Sequence, residues 1–365
     1  MERDRGNQYT VRTDLAFEAK EMYVQEKAKT KEIKGVLSKE VDIDGIKVSH
    51  IEITKEGERR IQKKAGTYIT IFTDSVIEQD TNRQAKVIKV LAEKIRELLK
   101  LNGVKEKSKG LIVGLGNWNV TPDALGPLVV DKILVTNHLF ELHYETVSEG
   151  YRPVASLTPG VMGVTGMETS DIILSVIDRF QPDFVIVIDA LASRSIERIN
   201  ETIQLTDTGI HPGSGVGNRR KEVSKETLGV PVIAIGVPTV VDAVTIASDA
   251  FDYLLKHLGR EWQEKDAPRK SLLPEAMPIT HKDLSEKDLP SQKGRETFLG
   301  LFGNLSDEEK RTLLREVLTP LGKNLIVTPK EVDQFMKDMA HVLASGINEA
   351  LHESVREGNS GYYTR

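Results

Sequence analysis

Short apolar runs alternate with amphipathic helical patterns along most of this chain. Residues 110–115, 184–188 and 232–235 are rich in β-branched side chains and predict buried strands. Residues 81–101 predict an amphipathic helix, because apolar side chains recur there every three or four positions. These side chains are Ile88, Leu91, Ile95 and Leu98. Strands that alternate with helices predict an α/β fold, with an open, mostly parallel or mixed sheet and helices on both faces.

The pattern changes in the last third of the chain. Residues 239–257 predict a helix, and Ser306 and Glu309 have the spacing of a capping box, which marks the start of another. Residues 260–296 between them are charged and contain four prolines, so we expect an insertion there. The length of 365 residues fits two ordinary domains or one elaborated domain, and we predict a single α/β domain over residues 15–365.

Composition narrows the functional class. The chain has 50 Lys and Arg against 55 Asp and Glu, a net charge of −5, and so lacks the basic excess of a nucleic-acid-binding protein. It has no cysteine, which excludes disulfides, thiolate ligands and thiol nucleophiles. The charged N-terminus does not resemble a secretory signal, and no apolar run is long enough to span a membrane. We therefore expect a cytoplasmic protein without a direct nucleic-acid or membrane partner.

Familiar catalytic signatures are missing from the sequence. It contains no H-E-x-x-H zinc motif, no G-x-S-x-G nucleophile elbow and no Gly-Lys-Ser/Thr phosphate loop. Gly114 and Gly116 follow a predicted strand, but Asn119 stands where a dinucleotide-binding fingerprint has its third glycine. The triplet at residues 207–209, D-T-G, matches the active-site turn of pepsin-like proteases, which need two such turns. We interpret this single triplet as a structural turn.

A glycine-rich segment with a basic end follows that triplet. Its amide groups and arginines suit an anion or a substrate backbone, although a surface loop would have the same composition. The candidate substrate-binding residues are His211, Gly213, Gly215, Gly217 and Arg219.

Two aspartates stand beyond predicted central strands. Asp189 directly follows the run at 184–188, and Asp123 lies in the loop after the run at 110–115. Function in open α/β sheets gathers past the carboxyl ends of neighbouring strands, which lie about 5 Å apart. A close carboxylate pair can activate water and protonate a leaving amine. The same pair suits a divalent metal that activates water, and two capping aspartates would have the same spacing, so the residues alone leave three interpretations open.

Long motifs indicate a relationship to a known family. They are YTVRTDLA at 9–16, GLGNWNVTPDALGP at 114–127, TPGVMGVTGMETSDI at 158–172, IDALASRS at 188–195 and TDTGIHPGSGVGNRR at 206–220. In these segments the chain resembles the germination protease family of Bacillus-type spore formers. The resemblance implies a fold similar to that of hydrogenase-maturation proteases.

The resemblance also implies an activity. It implies a self-processing zymogen, an atypical aspartic endopeptidase that starts the degradation of small acid-soluble spore proteins in the spore core during germination. It implies a homotetramer with Asp123 and Asp189 as catalytic residues and no cofactor, and leaves open whether a metal assists them. Residues 1–14 would be a propeptide removed between Asp14 and Leu15, since the family cuts between an acidic residue and an apolar residue followed by Ala. Asp14 departs from the Glu that is usual at substrate sites.

Two other classes of function stay open from the sequence. A nucleoside phosphorylase or hydrolase on a related sheet would use the loop at 213–220 for phosphate, and phosphate-dependent nucleoside cleavage would reveal it. A non-catalytic module that binds spore proteins would form stable complexes with intact substrate, so product fragments would exclude it.

Overall fold

The structure, a computed structural model, describes residues 13–27, 32–142, 147, 149–211, 221–263, 284–318 and 325–356. The chain divides into two compact units. Among the described residues, the larger unit comprises those within 13–241 and 328–356, and the smaller comprises those within 242–327. The domain organisation expected from the sequence, with residues 15–365 as one domain, stays a prediction.

A mixed sheet forms the centre of the larger unit. Its strands are β1 (Val36–Ile43), β2 (Ile46–Ile53), β3 (Gly66–Phe72), β4 (Gly110–Gly114), β5 (Val154–Leu157), β6 (Phe184–Ser193), β7 (Thr202–Thr206) and β8 (Val232–Asp242). Within the described residues their order is β1-β2-β3-β7-β8-β6-β4-β5. β5, β4, β6 and β8 are parallel neighbours, and β7, β3, β2 and β1 continue the sheet antiparallel.

Helices cover this sheet and also make up most of the smaller unit. They are α1 (Ala16–Lys27), α2 (Lys55–Ile61), α3 (Thr81–Leu101), α4 (Leu125–Val130), α5 (Asn137–Leu142), α6 (Met162–Thr165), α7 (Thr169–Phe180), α8 (Lys225–Leu228), α9 (Ala243–Gln263), α10 (Gln292–Leu299), α11 (Leu301–Asn304), α12 (Asp307–Leu318) and α13 (Val332–Leu351). The smaller unit contains α9 to α12 and a two-residue strand, β9 (Ile326–Val327). None of the helices in the described part of the chain has the length and hydropathy of a membrane span.

The two faces of the parallel strands form separate cores. Ile112 of β4 and Ile186 of β6 pack with α3 and α13, whereas Leu111 and Val185 pack with α7 and α8 on the other face. Successive side chains of a strand point to opposite faces, so an uninterrupted apolar run is buried on both. This confirms the predicted mixed α/β sheet with helices on both faces. Similarity to hydrogenase-maturation proteases stays a prediction.

The structure shifts the start of one helix predicted for the last third of the chain and confirms the start of another. The helix expected at 239–257 starts later, at Ala243, because β8 continues to Asp242. The capping box is confirmed: Ser306 N donates to Glu309 Oε2 at 2.8 Å, and Glu309 N donates to Ser306 Oγ at 3.3 Å. Part of the expected insertion, residues 264–283, lies outside the described residues, so the insertion stays a prediction.

A buried histidine follows α13 in the larger unit. The His352 ring is fully buried, its Nδ1 accepts a hydrogen bond from Arg152 N at 3.2 Å, and its Nε2 lies 3.3 Å from the Leu134 carbonyl oxygen. Because Nδ1 is an acceptor, the ring is neutral and Nε2 is the donor. Burial lowers the pKa of His352 from its ordinary 6.5 to about 4.

We expect His352 to make the fold less stable in acid. Its folded pKa is depressed, so the unfolded chain binds a proton that the native chain does not, and stability falls as the pH decreases from about 6.5 towards 4. The full loss is roughly 3 kcal/mol, from about 1.4 kcal/mol per pKa unit. Urea unfolding of wild type and His352→Gln at pH 7 and 4.5 measures it. His352→Gln should flatten this dependence, and the exposed His138→Gln should not. Equal slopes for all three proteins would contradict the assignment.

Candidate active site

Asp189 lies inside β6 and not past its end, which corrects the position expected from the sequence. The strand continues to Ser193 because β8 runs beside it, with Asp189 opposite Gly236. On its other side, β4 ends at Gly114, which is opposite Ile188. Asp189 is therefore the first residue of β6 beyond the end of β4, and its side chain is only 5% exposed.

Asp123 lies beside this point, in a 3₁₀ turn at Thr121–Asp123 that follows β4. The turn contacts β6. Asn117 N donates to the Asp123 carbonyl oxygen at 3.0 Å. From β8, the Thr239 hydroxyl donates to the Pro122 carbonyl oxygen at 2.7 Å. These hydrogen bonds fix the turn to the loop after β4 and to β8, and the turn also lies beside β6.

A glycine allows the loop after β4 to approach this turn closely. Gly116 has φ +117°, and a Cβ there would lie 1.9 Å from the Asp123 carbonyl oxygen and 3.5 Å from its Cγ. The preceding residue, Leu115, donates its N–H to the Ile188 carbonyl oxygen at 2.8 Å. Short backbone contacts therefore connect Asp123 to the residues next to Asp189. The structure therefore places both aspartates beside the carboxyl end of β4, and their catalytic role stays a prediction.

Neither aspartate is a helix N-cap. Helix α4 begins at Leu125 with Ala124 in the N-cap position, and Asp189 is within a strand, where its Oδ1 accepts a hydrogen bond from Ala190 N at 2.9 Å. The capping interpretation of these two residues is therefore wrong. Across the described part of the chain, no group of three or more His, Asp or Glu side chains is arranged to hold a metal ion.

Among the candidate substrate-binding residues of the glycine-rich segment, the structure describes only His211. His211 is largely exposed, and its Nε2 lies 4.0 Å from Glu222 Oε2. The other candidate substrate-binding residues lie outside the described residues, so their role stays a prediction. They are Gly213, Gly215, Gly217 and Arg219.

The D-T-G triplet forms a structural turn after β7. Asp207 Oδ1 accepts a hydrogen bond from Thr67 N at 2.8 Å, and the Thr208 hydroxyl donates to the Tyr68 hydroxyl at 3.1 Å. Gly209 has φ +83°, a left-handed conformation that favours glycine. Burial raises the pKa of Tyr68 to about 12, so the phenol stays neutral. Hydrogen bonds from the triplet thus connect the end of β7 to β3, as its structural interpretation predicts.

The expected cleavage junction lies against the strand that carries Asp189. Asp14 N donates to the Ala192 carbonyl oxygen at 3.1 Å, and Ala192 N donates to Asp14 Oδ2 at 2.9 Å. Ala192 is three residues beyond Asp189, roughly 10 Å along the strand. Leu15, on the other side of the junction, is 1% exposed.

Two side chains that the sequence analysis missed hold the backbone of the junction. Lys63 Nζ donates to the Thr13 carbonyl oxygen at 2.7 Å. The Gln204 amide binds on both sides of the junction, since its Nε2 donates to the Asp14 carbonyl oxygen at 3.2 Å and its Oε1 accepts from Ala16 N at 2.7 Å. Burial lowers the pKa of Lys63.

A third missed side chain, the buried Glu18, joins the junction to the end of β6. Its carboxylate accepts hydrogen bonds from Arg194 N at 2.8 Å and Ser195 N at 3.0 Å, and from the Thr13 hydroxyl. We call Glu18, Lys63 and Gln204 the junction clamp. No spacing signal in the sequence identifies these three residues, because their partners are as many as 190 positions away.

Comparison with known proteins identifies the relatives of this chain. The model of the germination protease family matches residues 16–364. The germination protease of Oceanobacillus iheyensis is 62% identical over 360 residues, which is 98% of each chain. That of Bacillus subtilis is 58% identical over 359 residues, 98% of this chain and 97% of the relative, and that of Priestia megaterium is 56% identical over 362 residues, 98% of each. The chain therefore belongs to the germination protease family and is a protease, a peptide-bond hydrolase with a role in spore germination.

Proposed function

We propose that the chain is a self-processing endopeptidase zymogen of the aspartic type. In this proposal Asp123 and Asp189 are the catalytic carboxylates, and the first bond cut is the peptide bond between Asp14 and Leu15. The observation that carries the proposal is the docking of this junction on β6, the strand that contains Asp189, through the Ala192 backbone. The mature protease would then start the degradation of small acid-soluble spore proteins.

The chemistry follows from two carboxyl groups that share a proton. The ionised carboxylate takes a proton from water as the water oxygen adds to the carbonyl carbon of Asp14. The tetrahedral intermediate collapses when the carbon–nitrogen bond breaks and the protonated carboxyl gives its proton to the Leu15 nitrogen. In the structure Asp14 lies beside Ala192, so the junction has to move about three residues along β6 to reach Asp189. A docked but displaced junction is what an inactive precursor requires.

The environment of Asp14 supports cleavage after an acidic residue. Its carboxylate accepts the Ala192 N–H, and the Lys63 ammonium attracts it electrostatically. A charge-assisted hydrogen bond to a backbone amide and a nearby cation both favour a carboxylate in this position. Glutamate, the residue usual at family substrate sites, presents the same group one methylene further out. We propose from the family resemblance that the protease acts as a homotetramer in the spore core.

We expect the purified chain to lose residues 1–14 when it is held at mildly acidic pH, where a carboxyl pair shares one proton more readily. Mass spectrometry of the intact protein, with and without a chelator, reports the cleavage position and any metal requirement together. The expected product starts at Leu15 and forms equally fast with chelator. An uncut chain would contradict self-processing, and a block by chelator would favour the metal mechanism. Fragments of an added small acid-soluble spore protein would exclude a purely binding function.

A further inference from the structure

We propose that Glu18 forms a buried binding site for the α-ammonium group that processing creates at Leu15. The ligand of this site is the chain's own new N-terminus, and the inference rests on the proposed cleavage between Asp14 and Leu15. It makes Glu18 a positioning residue that acts on the active-site strand through the end of β6.

One hydroxyl group separates the future amine from the carboxylate. Leu15 N donates to Thr13 Oγ1 at 3.0 Å, and Thr13 Oγ1 in turn donates to Glu18 Oε2. Thr13 leaves with the propeptide, so its hydroxyl no longer stands between the two groups. The amine and the carboxylate are then neighbours in a buried environment.

The residues after the junction are buried and make contacts that hold them in place. Leu15 and Ala16 are 1% and 0% exposed, and Ala16 N keeps its hydrogen bond to Gln204. Phe17 is buried as well, with its ring 4.9 Å from that of Phe72 in an edge-on contact. The hydrogen bond between Ala16 and Gln204 and the ring contact between Phe17 and Phe72 do not involve residues 1–14, so they remain when the propeptide is removed.

The charges change in a way that favours the new pair. Hydrolysis adds water across the bond, so the leaving peptide takes a carboxylate at Asp14 and the remaining chain gains an ammonium at Leu15. A buried ammonium is costly unless a carboxylate or other acceptor binds it. Glu18 loses the Thr13 donor at the same moment. Lys63 also faces Glu18 and Asp14, and it loses Asp14 and the Thr13 carbonyl oxygen when the peptide departs.

The new pair would reach the active-site strand through two backbone bonds. Glu18 binds the N–H groups of Arg194 and Ser195, which directly follow β6. Exchange of a neutral hydroxyl for an ammonium changes the group that orients this carboxylate, and with it the contacts at Arg194 and Ser195, five and six residues beyond Asp189. Processing would therefore change the contacts at the end of the strand that contains Asp189.

The test uses chains that begin at Leu15, released from a fusion partner by an outside protease, so that no self-processing is required. The pH dependence of acetylation of the N-terminal amine, followed by mass spectrometry, gives the pKa of that amine. We expect it at least one unit above the ordinary 7.7 to 8.0. Glu18→Gln, whose amide oxygen can still accept a backbone N–H, should abolish the increase. An added glycine before Leu15, which moves the ammonium away, should do the same.

The matched control is Glu21→Gln on the same helix. Glu21 pairs with Arg198 at 3.5 Å and is 43% exposed, so its removal should leave the amine pKa within a few tenths of a unit. An ordinary amine pKa in the parent chain, or the same increase in Glu18→Gln, would overturn the inference. If Glu18→Gln does not fold, the glycine extension of the parent decides the question. Failure of the proposed function shows separately, as a full-length chain that never loses residues 1–14.

Discussion

Replacement of Asp189 by asparagine is expected to slow cleavage between Asp14 and Leu15 by at least about 10³-fold, within the range of a lost general acid or base. Asparagine has the same shape, and its amide oxygen can keep the hydrogen bond from Ala190 N, but it neither accepts nor donates the proton that hydrolysis transfers. The fold should survive, because a buried carboxyl group is replaced by an amide of nearly the same size. We expect Asp123→Asn to have the same effect.

A time course of intact mass measures this loss, with thermal unfolding to show that each variant is folded. The matched control is Asp183→Asn, since Asp183 is exposed and immediately precedes β6 at its opposite end, where its carboxylate accepts the Lys109 N–H at 2.6 Å. This variant should process at the rate of wild type. A folded Asp189→Asn chain that processes at the normal rate would refute the two-aspartate mechanism.

The double variant separates a catalytic pair from two independent residues. When residues act as one unit, loss of one member costs about as much as loss of both. Asp123→Asn combined with Asp189→Asn should therefore be no slower than either single variant, to within about tenfold. Losses that multiply would show that the two carboxylates contribute to separate steps.

Strands β4, β6 and β8 of the parallel half were predictable because burial leaves a simple pattern there. β6 is covered on both faces, so residues 184–188 are apolar without interruption, and α3 has one apolar side and matches its predicted bounds of 81–101. The placement of the two candidate aspartates followed from the same pattern. Asp123 and Asp189 come after buried runs whose strands turned out to be adjacent.

Strands β1, β2 and β7 of the antiparallel half were not predicted, because they do not carry that signal. β1 is exposed at most positions, yet Asp44 and Gly45, with φ +53° and +84°, form a typical hairpin turn between β1 and β2. An Asp-Gly pair between two alternating runs was the available clue. β7 is fully buried although it includes polar Gln204, whose amide binds the junction backbone. A polar residue whose hydrogen-bond partner is distant in the sequence gives no local sequence pattern that would identify it.

The junction clamp was unpredictable for the same physical reason. Glu18 occupies the first turn of α1, where an acidic side chain is ordinary and is expected in solvent. Only the folded chain brings the amides of Arg194 and Ser195 to it, across 176 and 177 positions. Local sequence patterns identify residues that directly follow a buried strand. Contacts between segments that are far apart in the sequence depend on how the whole sheet is assembled.

Gly116→Ala is expected to damage the site through the backbone. With φ +117° an alanine at this position is strained, and its Cβ would overlap the Asp123 carbonyl oxygen at 1.9 Å, so the turn has to move. We expect the free energy of unfolding to fall by about 3 kcal/mol or more, from the strain together with the forced shift. Displacement of a catalytic group by about 1 Å costs roughly 10²-fold in rate, and processing should slow at least that much.

A second glycine separates the general cost of positive φ from the cost of this contact. Gly103 has φ +75°, and a Cβ at this position would have no neighbouring atom within 4 Å, so Gly103→Ala should lose only about 1 kcal/mol and process normally. Urea unfolding and the intact-mass time course, run on both variants, give the two quantities. Because the Asp123 carboxyl group itself is unchanged in Gly116→Ala, slow processing by a folded variant would show that its position matters as well as its presence. Equal stability and equal rates for the two alanine variants would mean that the close approach of Gly116 to Asp123 does not hold the turn in place.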